Sequence, residues 1–364
     1  MSMQRGAVTL LTPGTRITDT LVVDRPLGEG AFAEVHRVKH EYLGWQAMKV
    51  FKRVGSLGQT RAMLDEARLL SVLGHRNIVR LFDAGAVPTA DGVRGYFTME
   101  YVAGGSLQRL ADAHHAAVPV EIAVEAVEQV SQGLAVAHAQ APPIIHRDLT
   151  LENVLVGYDA TGMRVRISDF GLAQRADPIG RRSVVPGTEA FTYAFMPPEV
   201  VLRQENYSCA GDVWSIGTIA YLLLTNSQPY EPRYAETWFS ASRFDDPPLA
   251  PSRFNDDVDS ELDRIVLSCL ETDPSDRPSD AAGLAAAFRR RRESRRRASA
   301  VSSRVTTTPT DQAQRLAAQA LGLARHPSTL SEAADLMEEA VIRSPHLREQ
   351  HLPQLLLWRR GVMM

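Results

Sequence analysis

The spacing of apolar residues changes partway along the chain. From Thr18 to about Leu81 the signal is mostly strand-like, with valines and aromatics clustered around glycines in Leu21–Val38 and Gly44–Phe51. One helix interrupts this region. In Gln59–Leu73 the apolar residues Met63, Ala67, Leu70 and Leu73 recur at spacings of three and four, which is one helical face. After Gly104 the pattern turns helical, and Val124, Val127, Val130, Leu134 and Ala137 form one stripe within Val120–His138. A short β-rich piece, Ile144–Ile167, follows, and helices then run to about Arg290. A small β-rich part therefore precedes a larger helical part, an α+β order rather than an alternating βαβ one.

The pattern breaks at Arg289. Seven arginines between Arg289 and Arg297 are interrupted only by Glu293 and Ser294. Residues 291–310 read as a linker, basic at first and then rich in Ser and Thr from Ser299 to Thr310. Residues 311–364 are helical again, rich in alanine and leucine, and Ala333–Ser344 has the character of the second helix of a tetratricopeptide-like pair, without a full repeat period.

Composition narrows the function classes. The chain has 44% hydrophobic and 23% charged residues, ordinary for a globular protein, and a net charge of −3, which gives no global attraction to nucleic acid or membrane. The two cysteines, Cys209 and Cys269, are far apart, which suits a reducing compartment better than a disulfide scaffold. Met1–Gly14 lacks a charged stretch followed by an apolar run, so no secretory signal is expected. The longest apolar stretch, Val213–Leu224, falls short of the roughly 20 residues of a membrane span and fits a buried core helix. A soluble cytoplasmic protein is the expectation.

Four short motifs carry candidate chemistry. Gly28-Glu29-Gly30-Ala31-Phe32-Ala33-Glu34-Val35 follows the strand-like Leu21–Leu27. Its glycines let a hairpin backbone approach phosphates, although such turns are also common in structural loops. Ala47-Met48-Lys49 places a lysine in an apolar strand, where an unpaired charge is costly; Glu66 on the following helix can partner it. His146-Arg147-Asp148-Leu149-Thr150-Leu151-Glu152-Asn153 sets an aspartate and an asparagine five apart. Asp169-Phe170-Gly171 ends a strand with a carboxylate suited to magnesium, a hard cation that prefers oxygen. Singly, each has a structural reading: a loop, an edge lysine, a cap or a turn.

Together and in this order the motifs resemble the protein kinase catalytic domain. The resemblance spans residues 18–290, with an N-lobe of about 18–102 and a C-lobe of about 103–290. Supporting matches lie between the motifs. Glu66-Ala67-Arg68-Leu69-Leu70 and His75-Arg76-Asn77-Ile78-Val79 look like the family's helix C and the turn after it. Met99-Glu100-Tyr101-Val102 looks like the hinge, with Met99 as gatekeeper, and Pro197-Pro198-Glu199 stands where the family has Ala-Pro-Glu. Asp212-Val213-Trp214-Ser215-Ile216-Gly217 looks like the buried helix that anchors the catalytic loop, and Arg277 is expected to pair with Glu199.

The resemblance implies a two-lobed fold and transfer of the γ-phosphoryl group of ATP to a protein serine or threonine. Leu27, Gly28, Gly30, Val35, Ala47, Met99, Glu100, Val102 and Leu155 would surround the nucleotide. Lys49, oriented by Glu66, would hold the phosphates. Asn153 and Asp169 would hold Mg2+, with Mn2+ as a substitute. Asp148 would orient the acceptor hydroxyl, so that catalysis comes mainly from positioning and charge neutralisation.

Two departures from the family qualify this. Serine/threonine kinases usually carry lysine two residues after the catalytic aspartate; here it is Thr150, which removes a positive charge near the moving phosphate. The Gly-Thr pair usual just before Ala-Pro-Glu is displaced: Gly187-Thr188 sits upstream, and Thr192 has the expected spacing to Glu199, so Thr192 is assigned the substrate-loop role. Arg147 implies control by loop phosphorylation, with Ser183 and Thr188 as candidate sites. The alternative is an ATP-binding pseudokinase or scaffold. The arginine run is read as a solvated helix end or a dock for an anionic partner, and the tail as packing on the kinase domain or binding a partner protein.

Overall fold

The computed structural model describes residues 9–364 except 31–32, 53–72, 115, 161, 171–192, 204–205, 232–239, 306–308, 325, 327–328, 360 and 363–364. It divides into two compact units, residues 1–291 and 292–364.

In the first unit five antiparallel strands form one sheet in the order β1-β2-β3-β5-β4: β1 Leu21–Glu29, β2 Ala33–His40, β3 Gly44–Phe51, β4 Leu81–Thr89 and β5 Gly92–Glu100. Strand alternation gives the sheet two apolar faces. Val38, Met48, Val50, Val87 and Tyr96 pack on one side with Leu11, Leu21 and Val23. Ala33, Ala47, Phe51, Phe97 and Met99 join the main core on the other. The helix expected over 59–73 lies almost wholly outside the described residues.

The larger lobe is helical around one hairpin. α1 Leu107–Asp112 starts at Ser106, whose hydroxyl caps Arg109 N–H. α2 is Val120–His138, with Val127, Val130, Leu134 and Ala137 of the expected stripe buried. β6 Val154–Asp159 and β7 Gly162–Ile167 form the hairpin, followed by α3 Pro198–Arg203. α4 Cys209–Thr225 is buried along nearly its whole length, as the apolar run over 213–224 requires. α5 is Ser260–Cys269, capped by Asp259. Among the described residues no helix is long and apolar enough to cross a membrane.

The basic stretch departs from the sequence reading. α6 runs unbroken from Ala281 to Val305, so most of the segment read as a linker is helical. Arginine and alanine are strong helix formers, and their summed propensity outweighs the serines. Nor is the run solvated throughout. Arg291 is 3% exposed and its guanidinium clamps the Asp259 carboxylate, with Nε 3.1 Å from both oxygens.

The second unit contains α7 Pro309–Leu323, α8 Leu330–Arg343 and α9 Pro345–Trp358. Ala313, Ala317 and Ala320 face Ala333, Ala334 and Ala340 in its core, and these small side chains let helices approach closely; Met337, Leu355 and Trp358 fill the remainder. Arg359, 2.6 Å from Asp335 and paired also with Glu338, fastens the end of α9 to α8.

Candidate active site

One wall of the site follows from strand register. Val35 pairs with Lys49, Lys49 with Phe97, and Ala47 with Met99. Directly opposed residues share a face, so Val35, Ala47, Lys49 and Met99 lie on the same side of the sheet. Leu27, 37% exposed, and Gly28 sit at the end of β1. Gly30 N–H closes the turn onto Ala33 O at 2.9 Å.

The segment leaving β5 is pressed against β6. Val156 N–H donates to Gly105 O at 2.8 Å, and Ser106 bridges Leu155. A Cβ at Gly104 would meet Val156 O at 2.2 Å, and one at Gly157 would meet Val102 Cγ1 at 3.1 Å, so these two glycines set how closely the hinge and β6 approach. The Glu100 carboxylate lies 2.8 Å from Arg166 Nε on β7, which ties the hinge to the larger lobe.

The loop carrying Asp148 hangs on one buried carboxylate. Asp212, fully buried at the start of α4, accepts from the N–H of His146 at 2.7 Å and of Arg147 at 2.9 Å. His138 Nε2 donates to it at 3.0 Å. His138 Nδ1 accepts from Ala281 N–H at 3.2 Å, which places the ring proton on Nε2. His146 donates to Ser168 O at 2.8 Å, and its ring lies 4.6 Å from Phe170. Arg147 and Asp169 adopt φ of 67° and 57°. This left-handed backbone is costly for residues other than glycine and persists where surrounding bonds over-determine it.

These restraints bring four predicted residues into two pairs. Lys49 Nζ lies 2.7 Å from Asp169 Oδ1. The Asn153 amide N–H2 donates to Asp148 O at 2.6 Å and to Asp148 Oδ2 at 3.3 Å. Ser168 N–H donates to Asn153 O at 2.8 Å, so the segment carrying Asp148 and Asn153 is bonded to the one carrying Asp169. Thr150 is half-buried, and its carbonyl accepts Asn153 N–H at 3.2 Å. Glu66, Thr192, Ser183 and Thr188 lie outside the described residues.

The donor set fits a hard cation. With its N–H2 group committed to Asp148, Asn153 keeps its amide oxygen as an acceptor, and Asp169 supplies carboxylate oxygens. Among the described residues no cluster of three or more His, Cys, Asp or Glu could hold a metal. An amide and a carboxylate match magnesium, which is bound by one or two protein oxygens together with substrate phosphates rather than in an all-protein cage.

Behind the loop, Glu199 and Arg277 form the expected ion pair at 2.9 and 2.8 Å. All five guanidinium donors of Arg277 are used, the others going to the carbonyls of Glu271, Ala210 and Thr272. The group also lies 4.9 Å over Trp214. Desolvation pulls the buried Arg243 guanidinium down to about 10; it donates to Tyr230 O and to Tyr193 O, next to Thr192.

Several supports have no role of their own in the sequence reading. Asn77 donates to Gln129 Oε1 and Val165 O, both at 2.8 Å, joining the segment before β4 to α2 and β7. Gly104 enters the sequence reading only as the point after which the pattern turns helical, and Gly105 not at all. Glu34 was read as part of the loop motif and given no role of its own.

Comparisons agree with this geometry. Residues 21–288 match the family model described as protein kinase domain. The serine/threonine-protein kinase pkn2 of Myxococcus xanthus is 32% identical over 286 residues, 74% of this chain and 33% of that protein. The serine/threonine-protein kinase PknB of Mycolicibacterium smegmatis is 28% identical over 76% of this chain and 43% of its own length. The chain thus spans less than half of each of these relatives. The crystal structure of the Mycobacterium tuberculosis PknI kinase domain is similar with a TM-score of 0.56 at 25% identity, covering 77% of this chain and 99% of that one. The chain belongs to the protein kinase family.

Proposed function

We propose that this chain is an ATP-dependent serine/threonine protein kinase. The observation that carries the reading is the convergence of Lys49 on Asp169 and of Asn153 on Asp148, on a loop whose backbone is pinned by Asp212. Lys49 contacts the nucleotide phosphates, with Glu66 as its second partner. Asp169 and the Asn153 amide oxygen hold magnesium, or manganese in its place. The metal, when bound, would neutralise phosphate charge. Asp148 accepts a hydrogen bond from the acceptor hydroxyl and aligns its oxygen with the phosphoryl group, and Thr192 steadies Asp148. Leu27, Gly28, Gly30, Val35, Ala47, Met99 and Leu155 enclose the base and phosphates, and the backbones of Glu100 and Val102 meet the adenine edge.

Thr150 tempers the rate rather than the fold. A lysine at this position would add a preorganised charge beside the transferred group. Thr150→Lys is expected to raise turnover, since such interactions contribute up to several kcal/mol. The scaffold reading is not favoured, because Lys49, Asp148, Asn153 and Asp169 are all in place. Activation-loop control through Arg147 and a phosphate on Ser183 or Thr188 belongs to the same proposal. So do docking of an anionic partner by the exposed Arg289, Arg290, Arg296 and Arg297, and capture of a partner protein by the three-helix tail. Two unpaired cysteines support a cytoplasmic setting.

The acceptor class is tested by incubating the chain with magnesium, labelled ATP and a mixed protein acceptor, then hydrolysing the product. Phosphoserine and phosphothreonine are expected; phosphotyrosine alone would overturn the assignment.

A further inference from the structure

Glu34 is a buried charge that the phosphoryl-transfer machinery leaves unused. It stands on β2 between Ala33, where the glycine-rich loop closes, and Val35 on the site-facing side. Its partners across the sheet are Glu29 of β1 and Val50 of β3. Because successive side chains alternate, Glu34 belongs to the face opposite Val35. A strap of residues 9–17 lies on that face. Leu11, 3% exposed, inserts among Leu21, Val23, Val38, Met48 and Val50. Gly14 N–H and Thr15 O bond to β1 at Val23, at 2.8 and 2.9 Å.

The strap ends on the carboxylate. Leu10 N–H lies 2.9 and 3.1 Å from the two oxygens of Glu34, and the fully buried His36 donates Nε2–H to Oε2 at 3.0 Å. Glu34 is 4% exposed. A carboxylate so removed from water depends on these donors, and losing one costs far more than a surface hydrogen bond. On the same face, Glu29, between the two glycines of the loop, pairs with Lys52 beyond the end of β3. The loop is closed where its Gly28 and Glu29 pair with Val35 and Glu34 of β2. Its pose is therefore set by the strands at its two ends.

We propose that Glu34 is a positioning residue for the nucleotide: it couples the 9–17 strap to the start of β2, and the seated strap holds the glycine-rich loop in its ATP-binding pose. The coupling acts through Val35, the next residue, which is in register with Lys49. The proposal rests on the reading of this site as a magnesium-ATP site, and it adds a handle on nucleotide affinity outside the site.

The test uses the full chain with four substitutions. Leu10→Pro removes the donor N–H and keeps an apolar side chain. Glu34→Ala removes the acceptor, and Glu34→Gln keeps one acceptor oxygen. Val87→Ala loosens the same apolar cluster without touching the tether. Magnesium-ATP affinity is read by calorimetry, folding by thermal melting, and the amides of residues 28–35 by hydrogen exchange without nucleotide. Leu10→Pro and Glu34→Ala are expected to weaken magnesium-ATP binding about tenfold, the scale of one charged hydrogen bond. They should also speed exchange at residues 28–35 and leave kcat at saturating ATP unchanged. Glu34→Gln should fall between them and wild type. Val87→Ala should lower the melting temperature yet leave affinity intact. Unchanged affinity in Leu10→Pro, or an equal loss in Val87→Ala, would overturn the proposal. If the wild type binds no magnesium-ATP, the nucleotide reading fails instead. The exchange rates then decide alone, and equal rates in wild type and Leu10→Pro overturn the tether.

Discussion

Arg277 shows how much one side chain can carry in this fold. Its side chain is fully buried, beside a Glu199 side chain only 4% exposed, and each of its donors has a partner. Removing one member of such a pair strands the other charge. Arg277→Met is therefore expected to cost about 3–5 kcal/mol, measured by denaturant unfolding, whereas Arg277→Met with Glu199→Leu should recover much of that loss. The cysteines give a second prediction at this scale. Burial pushes the Cys269 thiol up to about 12, and burial with nearby Asp212 and Asp280 raises Cys209. At pH 8 both stay protonated, so alkylation of the native protein should be slow, with Cys269 reacting only on unfolding. Rapid native labelling of Cys269 would contradict its placement. Single residues were legible in sequence where their chemistry is carried by a side-chain pair: Glu199 with Arg277 was anticipated. Glu34 was not, because the donor that ties it to the strap is a backbone N–H twenty-four residues away, which no residue type announces. Lys49 was assigned Glu66 as its partner. The contact among the described residues is with Asp169, which sequence had reserved for metal.

At the scale of elements, the loop carrying Asp148 is a backbone held from outside. Asp212 on α4 fixes two of its amides, and His138 on α2 fixes Asp212. Asp212→Asn keeps the shape and puts an N–H2 group among donors. It should lower kcat by about 10²-fold, the effect of a small misplacement of reacting groups, while magnesium-ATP affinity changes little. Steady-state kinetics beside calorimetry would separate the two. Gly133 on α2 is a packing counterpart: its Cβ would sit 2.8 Å from Asn77 O, the carbonyl that accepts Ile167 N–H. Gly133→Ala is expected to destabilise by about 1–3 kcal/mol despite alanine's better helix propensity. The stripe on α2 and the apolar run of α4 could be read from periodicity, since both bury a face or a whole cylinder. The β4–β5 hairpin was not read, because β4 is largely exposed and lacks a clean alternation. The arginine run was legible in part: a solvated helix end is what six of the seven arginines form, whereas Arg291 finds Asp259 and the helix continues to Val305 through residues whose charge and serines suggested a linker.

At the scale of the whole molecule, the kinase motifs all fall within residues 1–291, and the remaining residues form their own compact unit. A chain ending at Val305 keeps the Arg291–Asp259 clamp and every site residue. It is expected to bind magnesium-ATP as tightly as the full chain; a loss of affinity would show that residues 306–364 contribute to the site. The two-lobed architecture was legible because strand-like and helical periodicities occupy separate parts of the chain, with the motifs in order across both. The exit from the hinge was less so, since it depends on how closely Gly104 and Gly157 let two backbones approach. The central claim is that Asp148 directs phosphoryl transfer from a nucleotide held by other residues. The most direct measurement compares the wild type with Asp148→Asn, each given magnesium and labelled ATP, with binding followed by calorimetry and transfer by phosphate on protein. The account predicts equal magnesium-ATP binding by both and transfer by the wild type alone. Equal transfer by the variant, or binding without any transfer by the wild type, would contradict it.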